Sequence, residues 1–373
     1  MEENLKKFID LFEHISSNPV EAIKNHKKET GKGAVGVLPV YAPEELIDAA
    51  GYLPVGIWGG HHEISKARTY LPAFACSIMQ SIMEMELEGA FDNLSAVLMS
   101  VPCDTLKCFS QKWHGKCQTI VFTHPQNRKI KAANLFLEEE YKIVRRKLEE
   151  ILDVKITDEA INKSIEIYNE NRKVMREFTE IAAKYPQIID PIIRHNVIKS
   201  RWFITKKQHT EYVRDFINEI KKLKIEPWEG KKVILTGIMA EPREVLEIMK
   251  SENFAVVADD LAQESRQFRI DVPEGKTPLE RLAKWWQDFD GCALATDPKK
   301  VRGKMLIDMY EKYEADAVIV CMMKFCDPEE FDYPIYYKEL NDKNIRNIMI
   351  EIDLEMTSFE QIKTRLQSFN ETL

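Results

Sequence analysis

Seven cysteines stand at positions 76, 103, 108, 117, 292, 321 and 326, and a thiolate is the side chain best able to hold a soft metal. Three of them fall where a parallel sheet opens into loops. Cys103 follows the apolar run 94–101, Cys326 follows the run 317–322, and Cys76 opens the helical run CSIMQSIMEMELEG. Ligands of open parallel sheets bind beyond the carboxyl ends of the strands. Three thiolates converging there from two lobes suit an iron–sulfur cluster or zinc. The paired Cys-x-x-Cys knuckles of a structural zinc site and the compact cysteine run of a ferredoxin are both absent. Cys103 and Cys108 are five apart, as are Cys321 and Cys326, which is not a same-face helical spacing. The competing reading makes all seven scattered, buried small hydrophobes.

Other polar groups share these strand ends. Asp259 and Asp260 follow the run 255–258, with Gln263, Glu264 and Arg266 beyond. They read either as ligand-facing residues or as a carboxylate pair at a helix start with a surface ion pair to Arg266. His61-His62 after Gly59-Gly60 read as solvent-facing loop histidines or as metal ligands. Gly59-Gly60 is a weak phosphate-loop signal without Gly-x-Gly-x-x-Gly, and the chain has no Walker-type lysine loop. ATP hydrolysis by this chain is therefore not expected. Of Trp285-Trp286, one ring is expected in the core. The basic stretch 299–304 reads as a solvated turn or as a contact for an acidic cofactor such as the phosphates of coenzyme A.

The elements that must position these residues follow from the apolar pattern. Two amphipathic helices are expected over 1–32, broken at SSNP. Strands are expected at 34–40, 53–58, 94–101 and 119–123. Helices are expected from Pro43 to Gly51, over 75–90 and over 103–113. From 127 to about 224 the spacing of apolar residues is helical throughout. Alternation returns with strands at 233–238, 255–258, 317–322 and 347–352, a helix over 242–250 and a final helix over 358–370. The fold class is α/β: two parallel-sheet, Rossmann- or flavodoxin-like lobes with a helical middle section and the site in the interlobe cleft. The expected division is 1–126, 127–225 and 226–373.

Composition narrows the setting. The 373 residues are 44% hydrophobic and 31% charged, with net charge -8, so the chain reads as a folded protein and not a nucleic-acid binder. No apolar run approaches a membrane span, and the acidic, helical N-terminus is unlike a signal peptide. A cytoplasmic location is expected. An odd cysteine count in a chain this long also speaks against a secreted disulfide framework.

Several motifs in fixed order then become recognisable: PEELIDAAGYLPVGIWGG, Cys76-Ser-Ile-Met-Gln-Ser, Pro102-Cys103-Asp104-Thr105-Leu106, VVADDLAQESRQFRIDVPEG and CMMKFCDPEEFDYP. Together they resemble the 2-hydroxyacyl-CoA dehydratase family over nearly the whole chain. In detail they are similar to the beta, smaller subunit of the heterodimeric enzymes that act on (R)-2-hydroxyacyl-CoA esters in amino-acid fermentation. The resemblance implies a lyase whose [4Fe-4S] cluster is held by three cysteines, here Cys76, Cys103 and Cys326. It implies an alpha-subunit partner, an ATP-dependent iron–sulfur activator, and a ketyl-radical mechanism with this chain's cluster relaying the electron. The Phe-Cys-Asp-Pro-Glu-Glu setting of Cys326 places the chain on the beta side, where alpha subunits show a Ser-Cys-Lys-Pro-like setting. Glu44, Glu45, Asp104 and Glu264 are cleft candidates, and no catalytic base is assigned. The alternatives are a subunit of a related CoA-thioester or benzoyl-CoA-type reductase, and a non-catalytic two-lobed binding protein.

Overall fold

The computed structural model describes residues 2–38 and 41–373. Two helices, α1 (Glu2–Ser17) and α2 (Pro19–Thr30), precede a first run of β1 (Ala34–Leu38), α3 (Glu44–Ala49), β2 (Leu53–Gly56), α4 (Ser77–Leu87), β3 (Ala96–Ser100), α5 (Asp104–Ser110) and β4 (Thr119–Phe122). Four helices follow: α6 (Lys131–Leu152), α7 (Asp158–Lys184), α8 (Pro191–Ser200) and α9 (Lys206–Ile220). The second run is β5 (Lys231–Gly237), α10 (Arg243–Ser251), β6 (Phe254–Leu261), α11 (Pro278–Asp288), α12 (Arg302–Tyr313), β7 (Ala317–Met323), α13 (Asp327–Asp342), β8 (Asn347–Ile352) and α14 (Glu360–Asn370). Positions 39 and 40, the expected end of the first strand, lie outside the described residues.

Both sheets are four-stranded and parallel, with orders β2-β1-β3-β4 and β6-β5-β7-β8. The two orders are the same permutation, so β3 and β7 hold the same place, as do β1 and β5. That kinship is invisible in the sequences themselves. Parallel strands covered on both faces read as continuous apolar runs, and β1, β2, β3, β6 and β7 are buried at every residue. In β1 the packing leaves no room for a side chain at Gly36. A Cβ there would lie 2.5 Å from Ile57 Cδ1 and 2.8 Å from Leu94 Cδ1.

The helical section starts at capped positions. Thr157 accepts from Ala160 N, Asp190 from Ile192 and Ile193 N, and Thr205 from Gln208 N, each satisfying N–H groups that the first turn leaves open. Its core includes Phe12 of α1, 5.6 Å from Phe216 of α9 and buried with Phe178 of α7. One contiguous hydrophobic cluster runs from Val35 and Leu98 of the first sheet through Tyr41 and Trp286 to Leu235 and Ile319 of the second.

Three departures from the sequence expectation matter for the site. β6 continues through Asp259 and Asp260, which pair with Leu235 and Thr236, so these carboxylates are not at a helix start. Arg266 is fully buried, so its ion pair is not a surface one. Trp285 and Trp286 are both buried, not one of them: Trp286 Nε1 donates to Pro125 O and Trp285 Nε1 to Ile270 O.

Candidate functional site at three helix N-termini

Cys76, Cys103 and Cys326 are each the N-cap residue of a helix, of α4, α5 and α13 respectively. A helix start presents unpaired backbone N–H groups and the positive end of the macrodipole, which favours an anionic ligand or thiolate. At Cys103 this is direct, since its Sγ accepts from Leu106 N at 3.5 Å. β3 ends at Ser100 and β7 at Met323, three residues before Cys103 and Cys326 respectively. The two thiols thus occupy the same position in the two sheets, next to the point where each strand order reverses, between β1 and β3 and between β5 and β7.

The third thiol comes from the β2–β3 crossover. Ser77, the residue after Cys76, lies with its Oγ 3.1 Å from Met323 Sδ at the end of β7 and accepts from Leu354 N at 3.0 Å. The start of α4 is therefore docked on the second sheet. Burial pushes the Cys76 thiol up to about 12, and Cys103 lies close enough to add to the shift. Cys326 is raised by burial, then by Glu329, then by Cys76 and Cys103. The three thiols are in electrostatic reach of one another. Among the described residues no three His, Cys, Asp or Glu side chains focus on one metal-ion position. Thiol donors are of the kind that iron–sulfur clusters take, so the chemistry of these three residues fits such a group.

The remaining cysteines lie at other kinds of position. Cys321 is a buried residue of β7, Cys108 is exposed on α5, and Cys117 precedes β4 half-buried. Cys292 is buried and accepts from Tyr41 Oη at 2.8 Å.

The candidate carboxylates are mostly committed elsewhere. Glu44 meets Lys206 Nζ at 2.7 Å and Glu45 meets Arg172 Nη2 at 2.6 Å. Burial works to raise the Glu44 pKa, but Lys206 and Arg201 outweigh it and hold it below the usual carboxylate range. Glu264 meets Arg194 Nη1 at 2.5 Å and His195 Nδ1 at 2.7 Å. Cations of the helical section neutralise all three. Asp104 lies exposed in the first turn of α5. Gly60 N donates to Ser81 Oγ at 2.8 Å, so that glycine pair is occupied by α4 and offers no phosphate cradle. His61 Nε2 lies 2.6 Å from Met356 O. In the basic stretch 299–304, Lys299, Lys300 and Lys304 are exposed as a solvated turn requires, but Arg302 is buried.

Sequence reasoning did not anticipate the ionic cluster beneath Cys326. Arg266 pairs through Nε and Nη2 with both oxygens of Asp260, at 3.0 Å each, and through Nη1 with Glu329 Oε1 at 3.1 Å. Arg302 reaches Glu329 Oε2 at 2.7 Å, Asp260 Oδ2 at 2.9 Å and Asp332 Oδ2 at 3.2 Å. The available signal was the charge alternation of DDLAQESRQFR beside DPEEFD.

The chain matches the family model described as 2-hydroxyglutaryl-CoA dehydratase, D-component, over residues 39–373. It is 57% identical over 371 residues to the lactoyl-CoA dehydratase subunit beta of Anaerotignum propionicum, covering 99% of each chain. It is 46% identical to the (R)-phenyllactyl-CoA dehydratase beta subunit of Clostridium sporogenes, with 99% of this chain and 100% of that one aligned. The beta subunit of (R)-2-hydroxyglutaryl-CoA dehydratase from Acidaminococcus fermentans is 34% identical, with 99% and 100% aligned. By the extent of both kinds of match, the chain belongs to the 2-hydroxyglutaryl-CoA dehydratase D-component family.

Proposed function

We propose that this chain is the beta subunit of an (R)-2-hydroxyacyl-CoA dehydratase, which removes water from a 2-hydroxyacyl-CoA to give a 2-enoyl-CoA. The observation that carries the reading is the trio of N-cap cysteines, two at corresponding strand ends and the third docked beside them. In this reading Cys76, Cys103 and Cys326 hold a [4Fe-4S] cluster, which would supply one electron at low potential.

The substrate explains the need for that electron. Its hydroxyl is alpha to the thioester carbonyl, so an ordinary enolate cannot expel it, and the beta proton is not acidic. A ketyl radical anion at the carbonyl can expel the hydroxyl, and the resulting enoxy radical has an acidified beta proton. After deprotonation the extra electron leaves again, so the cycle is redox-neutral. This chain's residues contribute the setting. Three helix starts favour the thiolate form, and the docking of Ser77 against β7 and Leu354 holds the Cys76 loop against the second sheet. No base is assigned here, because Glu44, Glu45 and Glu264 are bound up in ion pairs. Phe74 and Phe331, 72% and 82% exposed, flank Cys76 and Cys326 in sequence and offer apolar contact to an alpha subunit.

The rest of the machinery lies in other chains: an alpha subunit that carries the substrate and selects its acyl group, and an ATP-hydrolysing iron–sulfur activator. Seven free thiols suit a reducing compartment such as the cytoplasm, and no helix among the described residues is long and apolar enough to cross a membrane. The test is anaerobic co-purification with the partner chain, followed by an activator-dependent dehydration assay over a panel of 2-hydroxyacyl-CoA esters. A brown complex containing iron and acid-labile sulfide, active only with both subunits and activator, is expected. A colourless anaerobic complex, or ATP turnover by this chain alone, contradicts the reading.

A further inference from the structure

Cys103 and Cys326 occupy equivalent places in the two sheets, so the residues around them can be compared position by position. Three residues past Cys103 stands Leu106, and three past Cys326 stands Glu329; both are buried in the first turn of their helices. The leucine shows that this fold position is met by an apolar side chain. Glu329 instead places a carboxylate with no solvent exposure there. Burying a charge is costly, and replacing a buried ion pair by a hydrophobic residue is often neutral or stabilising. The charge at Glu329 therefore calls for a reason beyond stability.

Its surroundings supply one. Glu329 lies between two arginines that are themselves buried, Arg266 at 3.1 Å and Arg302 at 2.7 Å. Both also grip Asp260 at the end of β6, so the first turn of α13 is tied to the second sheet. Glu329 N and Glu330 N both donate to Cys326 O at 3.0 Å, and Phe325, just before the cysteine, has the left-handed φ of 60°. Such a backbone persists only where the neighbourhood over-determines it, and Glu330 Oε1 accepting from Phe325 N at 3.1 Å is part of that hold.

We propose that Glu329 is the positioning residue of Cys326: held by Arg266 and Arg302, it fixes the first turn of α13 and sets a buried carboxylate next to the Cys326 turn, keeping the reduction potential of the bound cluster low. The inference rests on the cluster reading above. Neutralising Glu329 leaves the arginines with one carboxylate fewer, and the net positive change favours the reduced cluster.

The experiment uses the anaerobically purified complex with its partner subunit, comparing wild type, Glu329→Gln and Asp332→Asn by iron and sulfide content and by spectroscopically monitored redox titration. Glu329→Gln should retain a cluster whose midpoint potential is shifted to more positive values. Asp332→Asn removes a charge from the same arginine one turn further from Cys326, and should give a smaller shift. If Glu329→Gln does not fold, Glu329→Asp keeps the charge but withdraws it by one methylene, and should lose iron to a chelator several-fold faster than wild type. An unchanged potential in an iron-loaded Glu329→Gln complex overturns the proposal, as does wild-type chelator resistance in Glu329→Asp. Iron loss that only tracks loss of fold, with the remaining cluster at wild-type potential, also overturns it and leaves a structural role. A wild-type complex without iron overturns instead the cluster reading on which the proposal stands.

Discussion

A cysteine at a helix N-cap is a different reagent from one in a strand, because only the former faces unpaired N–H groups. Cys76, Cys103 and Cys326 have that position and Cys321 does not. Serine substitution at each of the three should therefore lower iron from about four per chain, the nuclearity of a cubane, or make the centre oxygen-labile. Serine at Cys108, Cys117 or Cys292 should leave iron content unchanged. Colorimetric iron and sulfide assays on anaerobic protein decide this, and a Cys326→Ser protein with full iron beside an iron-poor Cys321→Ser protein would misplace the third ligand. The charged groups behave differently from the thiols. Both ring nitrogens of His195 face carboxylate oxygens, Glu264 Oε1 at 2.7 Å and Glu241 Oε1 at 3.1 Å. Since those oxygens only accept, the ring must donate from both sides as imidazolium. Burial alone would lower its pKa, but the two carboxylates outweigh it and raise it above the ordinary value. A raised folded pKa gives stability that is complete below the unfolded value of about 6.5 and is lost as the pH rises through the folded pKa. His195→Gln should thus lower the melting temperature markedly at pH 6, as loss of roughly 3 kcal/mol would. The gap to wild type should narrow by pH 9, and a gap independent of pH would refute the imidazolium. None of this pairing was legible in the sequence, where Glu264 reads as an available cleft residue. Its partners come from α8, some 70 positions away, and no local pattern encodes that meeting.

At the scale of elements the sequence was more explicit. Among the described residues the eight strands announce themselves as short apolar runs, most plainly where both faces are covered, as in β1, β3 and β7, and α6, α7 and α9 of the middle section show helical apolar spacing. The second run was harder. β6 extends three residues beyond its apolar stretch, since Asp259 and Asp260 are made tolerable in a strand by ion pairs to Arg194, Arg266, Arg269 and Arg302. Helices α11, α12 and α13 were not foreseen. Pro334 lies inside α13, and a proline within a pattern normally argues for a break. One glycine shows how tightly the strand ends are set. Gly237 closes β5 with φ 142°, and a Cβ there would lie 2.1 Å from Cys321 O in the neighbouring strand. Gly237→Ala combines that backbone clash with a conformation open mainly to glycine. It should cost at least about 1–3 kcal/mol, read as a melting temperature several degrees lower or a loss of soluble protein. Wild-type stability in that variant would mean β5 and β7 can part at their ends, beside the Cys326 turn.

The whole molecule poses the question of what joins its two sheets. Protein contacts already do so in part: Tyr41 meets Cys292, Ser77 meets Met323 and Leu354, and Arg128 Nη2 meets Asp290 Oδ1 at 2.9 Å. A cluster on Cys76, Cys103 and Cys326 would add a covalent staple between the first run of strands and the second. A ligand that binds only the folded state stabilises it by linkage. The stabilisation should not be uniform, however, because the sheet interiors are buried at every residue and do not depend on the thiols. Hydrogen exchange on the loaded and iron-free forms should therefore show protection falling at 102–108, where α5 starts, and at 324–330, where α13 starts. It should fall also at 259–266, because Asp260 and Arg266 are tied to Glu329 and loosen when the Cys326 turn does. Residues 94–101 and 233–238, in the strands themselves, should change little. A uniform loss of protection would mean that the contiguous hydrophobic core makes one cooperative unit of both sheets. No change at all would mean that the three cysteines do not share a ligand, since a staple across two lobes cannot be removed without loosening the turns it holds.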